Sequence, residues 1–157
     1  MSQLVASAAI DDAVATIVCA FLAEDCTRER GGFLIGRLAS ESSPVTRIHY
    51  AVPCPDAPSN AYSLTFRAEE WQLAHTHPTV CDGSATIVGW FHSHPSMAVK
   101  MSARDIFIQR HFFEHPAQVA WIRDPVGSDE ALWCLREGAI RKMNRVPYHA
   151  CPAGDAS

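Results

Sequence analysis

The sequence predicts a mixed α/β domain in which a β-sheet is flanked by helices. Short apolar runs of strand length alternate along the chain with about three segments whose apolar residues recur at helical spacing. Such interleaving is typical of mixed α/β proteins. The length of 157 residues suits one domain. We predict that residues 1–148 form this domain and that residues 149–157 are a disordered tail.

The composition argues against two classes of partner. Hydrophobic residues make up 48% and charged residues 19% of the chain, which is ordinary for a soluble globular protein. The formal net charge is -4 and the sequence pI is about 6.0. Nucleic acid and anionic membrane surfaces both require basic patches, so we expect the protein to bind neither.

The six cysteines include no C-x-x-C pair, which argues against a cysteine zinc ribbon. A disulfide framework is not expected either, because the chain is not a small disulfide-dense domain.

The first element is predicted to be a buried helix over residues 8–24. Its apolar residues recur at the spacing of one helix face: Ile10, Val14, Ile17, Val18 and Phe21. The segment is alanine-rich like a signal peptide, but it has no basic n-region, and Asp11 and Asp12 interrupt it. The uncharged stretch over residues 13–23 is too short to cross a bilayer. We therefore expect a cytoplasmic protein.

Three strands and a helix are predicted next. Gly31-Gly32 precedes an apolar run fit for a buried strand, and weaker patterns predict two more strands around a proline-rich loop. A helix then ends before Pro78, because the residue before a proline disfavours helical conformation. The strands are predicted at residues 33–38, 46–52 and 62–66, the loop at residues 53–60 and the helix at residues 67–77.

The second half of the chain is predicted to contain four strands and one helix. The apolar run over residues 86–92 is the strongest strand pattern. Ser102 opens a helix that Pro116 follows, and the turn residues Asp124-Pro125-Val126-Gly127 follow another strand. A Glu137-Gly138 turn then joins a closing hairpin. The helix is predicted at residues 102–113, and the remaining strands at residues 118–123, 131–136 and 139–143.

Candidate metal ligands follow the strand over residues 86–92. His92-Ser93-His94-Pro95 is followed by Ser102 and Asp105. Residues two apart in an extended segment project to the same side, so the two imidazoles can converge on one ion. Asp105 falls in the first turn of the next helix, which can carry a third ligand back to the strand end. Two histidines and a carboxylate suit Zn²⁺, and three protein ligands leave the fourth position open, as in catalytic zinc sites.

A catalytic zinc site also needs a proton acceptor, and Glu29, just before Gly31-Gly32, is the candidate. Taken singly, each feature has a plainer explanation. An isolated H-x-H is more often incidental than metal-binding, and S-x-x-D at a helix start is commonly a capping box. A glutamate before two glycines is usually a solvated surface charge. The combination, in this order and spacing, favours a metal site with Glu29 beside it.

The combined pattern E-x2-G-x3-G, then H-S-H-P-x6-S-x2-D, resembles the motif of the JAMM (MPN-type, JAB/Mov34-like) zinc metallopeptidases. The chain resembles their bacterial single-domain type, and the similarity extends over about residues 8–143. It implies a curved mixed β-sheet flanked by helices, with a cytidine-deaminase-like architecture. It also implies one zinc ion per chain on His92, His94 and Asp105, with Glu29 as the base and Ser102 as a donor to the oxyanion.

The resemblance further implies hydrolysis of the isopeptide or peptide bond after the C-terminus of a ubiquitin-like protein. The partner would be such a protein or its conjugate, together with E1-like and E2-like enzymes of the same system, some of which act in antiviral defence. Two alternatives remain open. One is a peptidase that releases an amino acid such as cysteine from a sulfur-carrier protein. The other is a non-catalytic module that docks a ubiquitin-like protein.

Other polar residues are weaker candidates. His75-Thr76-His77-Pro78 repeats the H-x-H-P pattern, but it sits at a predicted helix end, where side chains two apart diverge. Cys54 and Cys151 have no visible histidine partner that would make either a nucleophile. The sequence lacks the H-x-E and P-C-x-x-C signature of zinc base deaminases. Three residues of the loop after the metal motif could contact an extended substrate tail: Met97, Val99 and Met101. An ordinary exposed loop explains this segment equally well.

Overall fold

A mixed sheet of eight strands forms the framework of the protein. The structure, a computed structural model, describes residues 5–150. The strands of this region are β1 (Ser7–Ile10), β2 (Gly31–Arg37), β3 (Val45–Pro53), β4 (Ser59–Asn60), β5 (Ser63–Leu64), β6 (Thr86–Ser93), β7 (Val119–Arg123), β8 (Glu130–Arg136), β9 (Ala139–Lys142) and β10 (Asn144–Arg145). The helices are α1 (Asp12–Ala23), α2 (Ala68–His75), α3 (Pro78–Cys81) and α4 (Ala103–Phe112). Eight strands pair in the order β10-β1-β3-β2-β6-β7-β8-β9, and β4 and β5 form a separate hairpin. The predicted mixed α/β class is confirmed.

The sheet separates two apolar cores. Consecutive residues of a strand point to opposite faces, so Phe33 and Trp90 pack on one side while Leu34 and Phe91 pack on the other. Helix α1 covers the face that carries Leu34, whereas α2 and α4 cover the face that carries Phe33. Strand β6 is buried from its second residue to its last. The end of β6, where the candidate ligands stand, therefore lies inside the protein.

The sheet curls so far that its two edge strands follow each other in the chain. Only Met143 separates β9 from β10, although these strands lie at opposite ends of the sheet order. The Met143 N–H donates to the Leu132 carbonyl oxygen at 2.8 Å, and Arg145 donates to the Glu130 carboxylate at 2.7 Å. Both contacts tie the segment at β10 to β8, so the two ends of the sheet order lie close together.

The predicted helix over residues 8–24 was wrong at its start. Ser7–Ile10 form β1, which pairs in parallel with β3 and β10. The helix begins at Asp12, and Asp11 caps it, since the Asp11 carboxylate accepts from the Ala13 N–H at 2.9 Å. Ile10 fits both patterns, because a buried strand residue and a residue on an apolar helix face are equally hydrophobic. The cap, rather than the apolar spacing, marks the boundary.

The strand predicted over residues 62–66 was also wrong. Only Ser63–Leu64 is extended there, and it pairs with Ser59–Asn60, which lies inside the predicted loop over residues 53–60. Tyr62 stands in the turn between them and is 76% exposed. The prediction therefore placed a strand of five residues where the chain makes a short hairpin.

Most of the other elements were predicted with small shifts at their ends, and the shortest elements were not predicted. The remaining predicted strands and helices are present, with shifts of at most two residues at each end. Helix α3 and strand β10 have four and two residues, too few to show a period. Of the predicted tail over residues 149–157, His149 and Ala150 belong to a 3-10 turn at Tyr148–Ala150, and residues 151–157 lie outside the described residues. None of the helices between residues 5 and 150 has the length and apolar character that spanning a bilayer requires.

Gly31 brings the segment that carries Glu29 close to β6, and a larger residue there should destabilise the protein. A Cβ on Gly31 would come within 2.4 Å of the Phe91 carbonyl oxygen and 2.6 Å of a Leu64 methyl carbon. Because neither strand can move without breaking the sheet, Gly31→Ala should lower the free energy of unfolding by about 3 kcal/mol or more. Urea unfolding followed by circular dichroism measures this loss.

The matched control is Gly83→Ala. A Cβ on Gly83 meets nothing within 4 Å, and the only strain comes from its φ of +79°, worth about 1 kcal/mol. Equal losses for the two variants would contradict the close approach of β2 and β6.

Candidate metal centre

Three side chains from the end of β6 and the start of α4 converge on one point. The Nε2 atoms of His92 and His94 lie 3.1 Å apart. One carboxylate oxygen of Asp105 lies 3.2 Å from His92 Nε2, and the other lies 3.1 Å from His94 Nε2. All three side chains are buried. The structure therefore brings together the residues that were predicted as ligands.

His92 and His94 owe their positions to the strands on either side of β6. His92 is flanked by Gly31 of β2 and Ile122 of β7, and its ring stacks on Trp90 with the centroids 4.4 Å apart. The His94 N–H donates to the Arg123 carbonyl oxygen, and His94 Nδ1 lies 2.9 Å from the Ala98 carbonyl oxygen. Because that carbonyl can only accept, Nδ1 carries a proton, and Nε2 is the ring nitrogen that faces His92 and Asp105.

Asp105 occupies the third position of α4, and it is both part of a capping box and part of the cluster. The Ser102 hydroxyl accepts from the Asp105 N–H at 3.1 Å, while the Asp105 carboxylate accepts from the Ser102 N–H at 2.9 Å. Burial alone would raise the pKa of Asp105. The His92 ring and hydrogen bonds from both histidines and Ser102 outweigh it and hold that pKa well below its usual range. Asp105 is therefore a carboxylate at neutral pH.

Glu29 completes the cluster from a different part of the chain. It offers a carboxylate oxygen within 4.8 Å of the other three ligand atoms, and it is only 2% exposed. Its N–H donates to the Asn60 carbonyl oxygen of the β4–β5 hairpin at 2.8 Å. The next residue, Arg30, accepts at its carbonyl oxygen from the Ser93 N–H of the H-S-H-P motif, and its own N–H donates to the Ser93 hydroxyl. The segment that bears Glu29 is thus fixed against the strand that bears the histidines.

The pKa of Glu29 suits a proton acceptor near neutral pH. Burial, followed by the negative charge of Asp105, raises the pKa of Glu29 to about 7, against the partly offsetting effect of His94. A general base works best when its pKa lies close to the working pH. A carboxylate in this environment can both take a proton and return it.

The residues present fit a divalent cation. A tetrahedral ion with bonds of about 2.0 to 2.2 Å separates its ligand atoms by about 3.3 to 3.6 Å, and the observed separations of 3.1 to 3.2 Å are only slightly shorter. Burial lowers the pKa of His92, so this ring is neutral, as a ligand must be. One Glu29 oxygen is buried and has no hydrogen-bond partner. A buried, unpaired carboxylate oxygen beside an anionic Asp105 indicates that a positive charge belongs in the cluster.

An apolar cleft of about 300 Å³ opens beside the cluster. It is lined by Glu29, Tyr62, His94, Met97, Ala98, Lys100, Met101 and Ser102. Met97 and Met101, two of the three residues considered for contact with a substrate tail, line this cleft. Val99 is not among the lining residues, and its carbonyl oxygen instead accepts from the Trp133 indole N–H at 2.9 Å. The cleft thus reaches Glu29 and His94 of the cluster.

The weaker candidates lie elsewhere. His75 stacks on Trp71, and His77 Nδ1 lies 2.8 Å from the Thr79 hydroxyl at the start of α3. Burial raises the pKa of the Cys54 thiol to about 12, which leaves it unreactive, and Cys151 lies outside the described residues. Within residues 5–150, only Glu29, His92, His94 and Asp105 form a group of three or more potential metal ligands.

Asp124 and Trp133 hydrogen-bond to the segment that follows the metal motif, and neither was predicted to support the site. Asp124 was assigned only to a turn, yet its carboxylate accepts from the Ser96 N–H at 2.9 Å. Trp133 was placed only in a strand of the closing hairpin. Strands β6 and β7 are parallel, and the carboxyl ends of parallel strands meet at one edge of a sheet. Because Asp124 directly follows β7, this rule could have placed it beside the motif that follows β6.

The fold and the cluster fit a metal-dependent peptidase of the JAMM type. The chain belongs to the JAB1/Mov34/MPN/PAD-1 ubiquitin protease family, whose model matches residues 5–116. Protein DSY2949 from Desulfitobacterium hafniense, known from a solution structure, has a similar fold with a TM-score of 0.70. The similarity covers 89% of this chain and 92% of that one at 16% sequence identity, so it bears on the fold alone. No curated protein matches the sequence.

Proposed function

We propose that this protein is a zinc-dependent peptidase that cleaves the bond after the C-terminus of a ubiquitin-like protein. The observation that carries the proposal is the convergence of two histidines, an aspartate and a glutamate, all buried, beside an open cleft. A closed structural zinc site would take a fourth protein ligand at bonding distance. Here the fourth residue, Glu29, is a carboxylate with the raised pKa of a base. Membership of a ubiquitin protease family supports the choice of substrate.

In this proposal His92, His94 and Asp105 hold the zinc ion, and the other two residues handle protons. A bound zinc ion activates water and polarises the scissile carbonyl. Glu29 accepts a proton from the attacking water and then delivers it to the leaving amine. The Ser102 hydroxyl oxygen accepts a hydrogen bond from the Asp105 backbone N–H. The hydroxyl proton therefore stays available for donation to the developing oxyanion. Its placement at the cleft supports this role.

The cleft favours a slender, extended substrate. Its lining is mostly apolar, from Tyr62, Met97, Ala98 and Met101, with Glu29 and Ser102 as the polar groups near the cluster. An extended peptide tail with small terminal residues could reach the cluster through such a cleft, and its backbone could pair with neighbouring chain segments. As part of the same proposal, the protein serves a ubiquitin-like modification system that has E1-like and E2-like enzymes.

The test offers the purified protein three substrates built on each candidate ubiquitin-like protein encoded beside its gene. In the first, the C-terminus is joined to a lysine ε-amine. In the second it continues as a linear peptide, and in the third it ends in one added cysteine. We expect zinc-loaded protein to cut the first or second after the carrier's C-terminus. A chelator should stop the reaction and added zinc should restore it, as measured by intact mass.

Each other outcome has a definite meaning. Release of cysteine alone would replace the proposal with the sulfur-carrier peptidase. Tight binding without cleavage, unaffected by chelator, would replace it with a docking module. Cleavage that persists after complete removal of zinc would show that the cluster is not the active centre.

A further inference from the structure

The segment between the metal motif and α4, residues 95–101, is held from outside by the β7–β8 hairpin. The His94 N–H donates to the Arg123 carbonyl oxygen at 2.9 Å, directly before this segment. The Ser96 N–H donates to the Asp124 carboxylate at 2.9 Å. The Trp133 indole N–H donates to the Val99 carbonyl oxygen at 2.9 Å. Two of these three hydrogen bonds come from side chains of the hairpin and its turn.

Asp124 supports an energetically costly backbone conformation at Ser96. Ser96 has a φ of 56°, in the left-handed region that non-glycine residues rarely occupy. The Asp124 carboxylate accepts from the Ser96 N–H and also from the Val126 N–H at 2.9 Å. Asp124 is only 8% exposed, so these hydrogen bonds are sheltered from water. The turn that leads out of the metal motif is thereby tied to the turn that follows β7.

Trp133 fixes the middle of the same segment. Its ring packs against the apolar core on the α4 face together with Met101, and its indole N–H reaches the Val99 carbonyl oxygen. Met97, Ala98, Lys100 and Met101 of this segment line the cleft. If the Val99 hydrogen bond is lost, the side of the cleft that these four residues form is free to shift.

The segment also orients a ligand. The Ala98 carbonyl oxygen lies 2.9 Å from His94 Nδ1, and this contact keeps His94 Nε2 turned towards His92 and Asp105. Groups that orient a metal-ligating histidine usually affect metal affinity by ten- to hundredfold. A shift of the turn at Ser96 would move the Ala98 carbonyl, and the His94 ring would lose its direction.

We propose that Asp124 and Trp133 are positioning residues of the metal centre: Asp124 holds the turn that aims His94, and Trp133 holds the side of the cleft that receives substrate. Both residues lie beyond residues 5–116, the part of the chain that the family model matches. The part of the proposal that concerns substrate rests on the proposed peptidase function. The part that concerns metal does not.

Zinc affinity tests the role of Asp124 without any substrate. We expect Asp124→Ala to weaken zinc binding by about ten- to hundredfold, measured by competition with a chromogenic chelator at pH 7.5. Asp124→Asn keeps an oxygen acceptor for the Ser96 N–H and should recover most of that loss. Asp129→Ala, in the same turn, is the control and should bind zinc like the wild type. If Asp124→Ala binds zinc as tightly as Asp129→Ala does, Asp124 has no positioning role.

A split between KM and kcat tests the role of Trp133. Trp133→Phe keeps an aromatic ring but loses the indole N–H. We expect KM to rise by about threefold to tenfold, as for the loss of one hydrogen bond, with kcat and zinc affinity within about twofold of the wild type. Trp121→Phe is the matched control, because Trp121 packs in the opposite core and donates to Glu130. An unchanged KM for Trp133→Phe, or an equal rise for Trp121→Phe, would overturn the assignment. If the wild type cleaves nothing, the proposed function fails, while the zinc titrations still decide the role of Asp124.

Discussion

Replacing Glu29 by glutamine should remove most turnover while the protein keeps its zinc. Glutamine has nearly the same shape as glutamate but cannot accept and return a proton, and a positioned general base contributes about 10² to 10⁴ in rate. The three ligand side chains should stay in place, because Glu29 is fixed by its backbone N–H and its buried Oε1 has no hydrogen-bond partner to lose. The measurement compares kcat for wild type and Glu29→Gln, with zinc content determined by atomic emission on the same samples.

The control for this prediction is Glu41→Gln, which removes one carboxylate from an exposed loop. It should leave both turnover and zinc content unchanged. Full turnover by Glu29→Gln with zinc in place would show that another group takes the proton. Loss of zinc together with turnover would show that Glu29 is a ligand instead of a base.

The same variant should also be more stable than the wild type when metal is absent and the pH is high. The pKa of Glu29 is about 7 in the folded protein, against an ordinary value of 4.5. Because the folded state holds this proton more tightly, the stabilisation is complete below about pH 4.5 and is lost as the pH rises through about 7. Glutamine carries no titrating proton and avoids the loss. With chelator present, Glu29→Gln should gain about 2 kcal/mol over wild type at pH 8 and almost nothing at pH 4.5, measured by urea unfolding.

The ligands could be predicted because their spacing encodes their geometry. His92 and His94 are two residues apart at the end of β6, and Asp105 lies three residues after the Ser102 that caps its helix. Short-range regularities of strand and helix therefore bring all three together. Glu29 is far from them in sequence, and no periodicity links it to β6. Its place in the predicted site was proposed from its position just before Gly31-Gly32 and was supported by the resemblance to a known motif.

The elements and residues that escaped prediction are defined by partners rather than by local pattern. Strand β10 has two residues, and its pairing with β1 comes from the curl of the whole sheet. The partners of Asp124 and Trp133 are a backbone N–H at Ser96 and a backbone carbonyl at Val99. Every residue type except proline offers both groups, so the identity of Ser96 or Val99 carries no sign of the contact. Only the fold shows that the β7–β8 hairpin lies against the metal motif.

Replacing Asp105 by alanine should abolish zinc binding and turnover together. Loss of an outer group that only orients a ligand costs about ten- to hundredfold in metal affinity, so loss of a ligand itself should cost more than about a hundredfold. The variant also loses the hydrogen bond from the Ser102 N–H to the Asp105 carboxylate, which should lower the stability of the metal-free protein by about 1 kcal/mol. Zinc titration against a chromogenic chelator and urea unfolding measure the two effects separately.

Asp11→Ala is the matched control, because it also removes a side-chain hydrogen bond from a helix start. The Asp11 carboxylate accepts from the Ala13 N–H at 2.9 Å, so this variant should lose a similar amount of stability, about 1 kcal/mol, yet bind zinc and turn over substrate like the wild type. Asp105→Asn, which keeps an oxygen for the Ser102 N–H but no negative charge, should fold as well as the wild type and still bind zinc poorly. If Asp105→Asn binds zinc with wild-type affinity, the carboxylate only caps α4, and the two histidines must find their third ligand elsewhere.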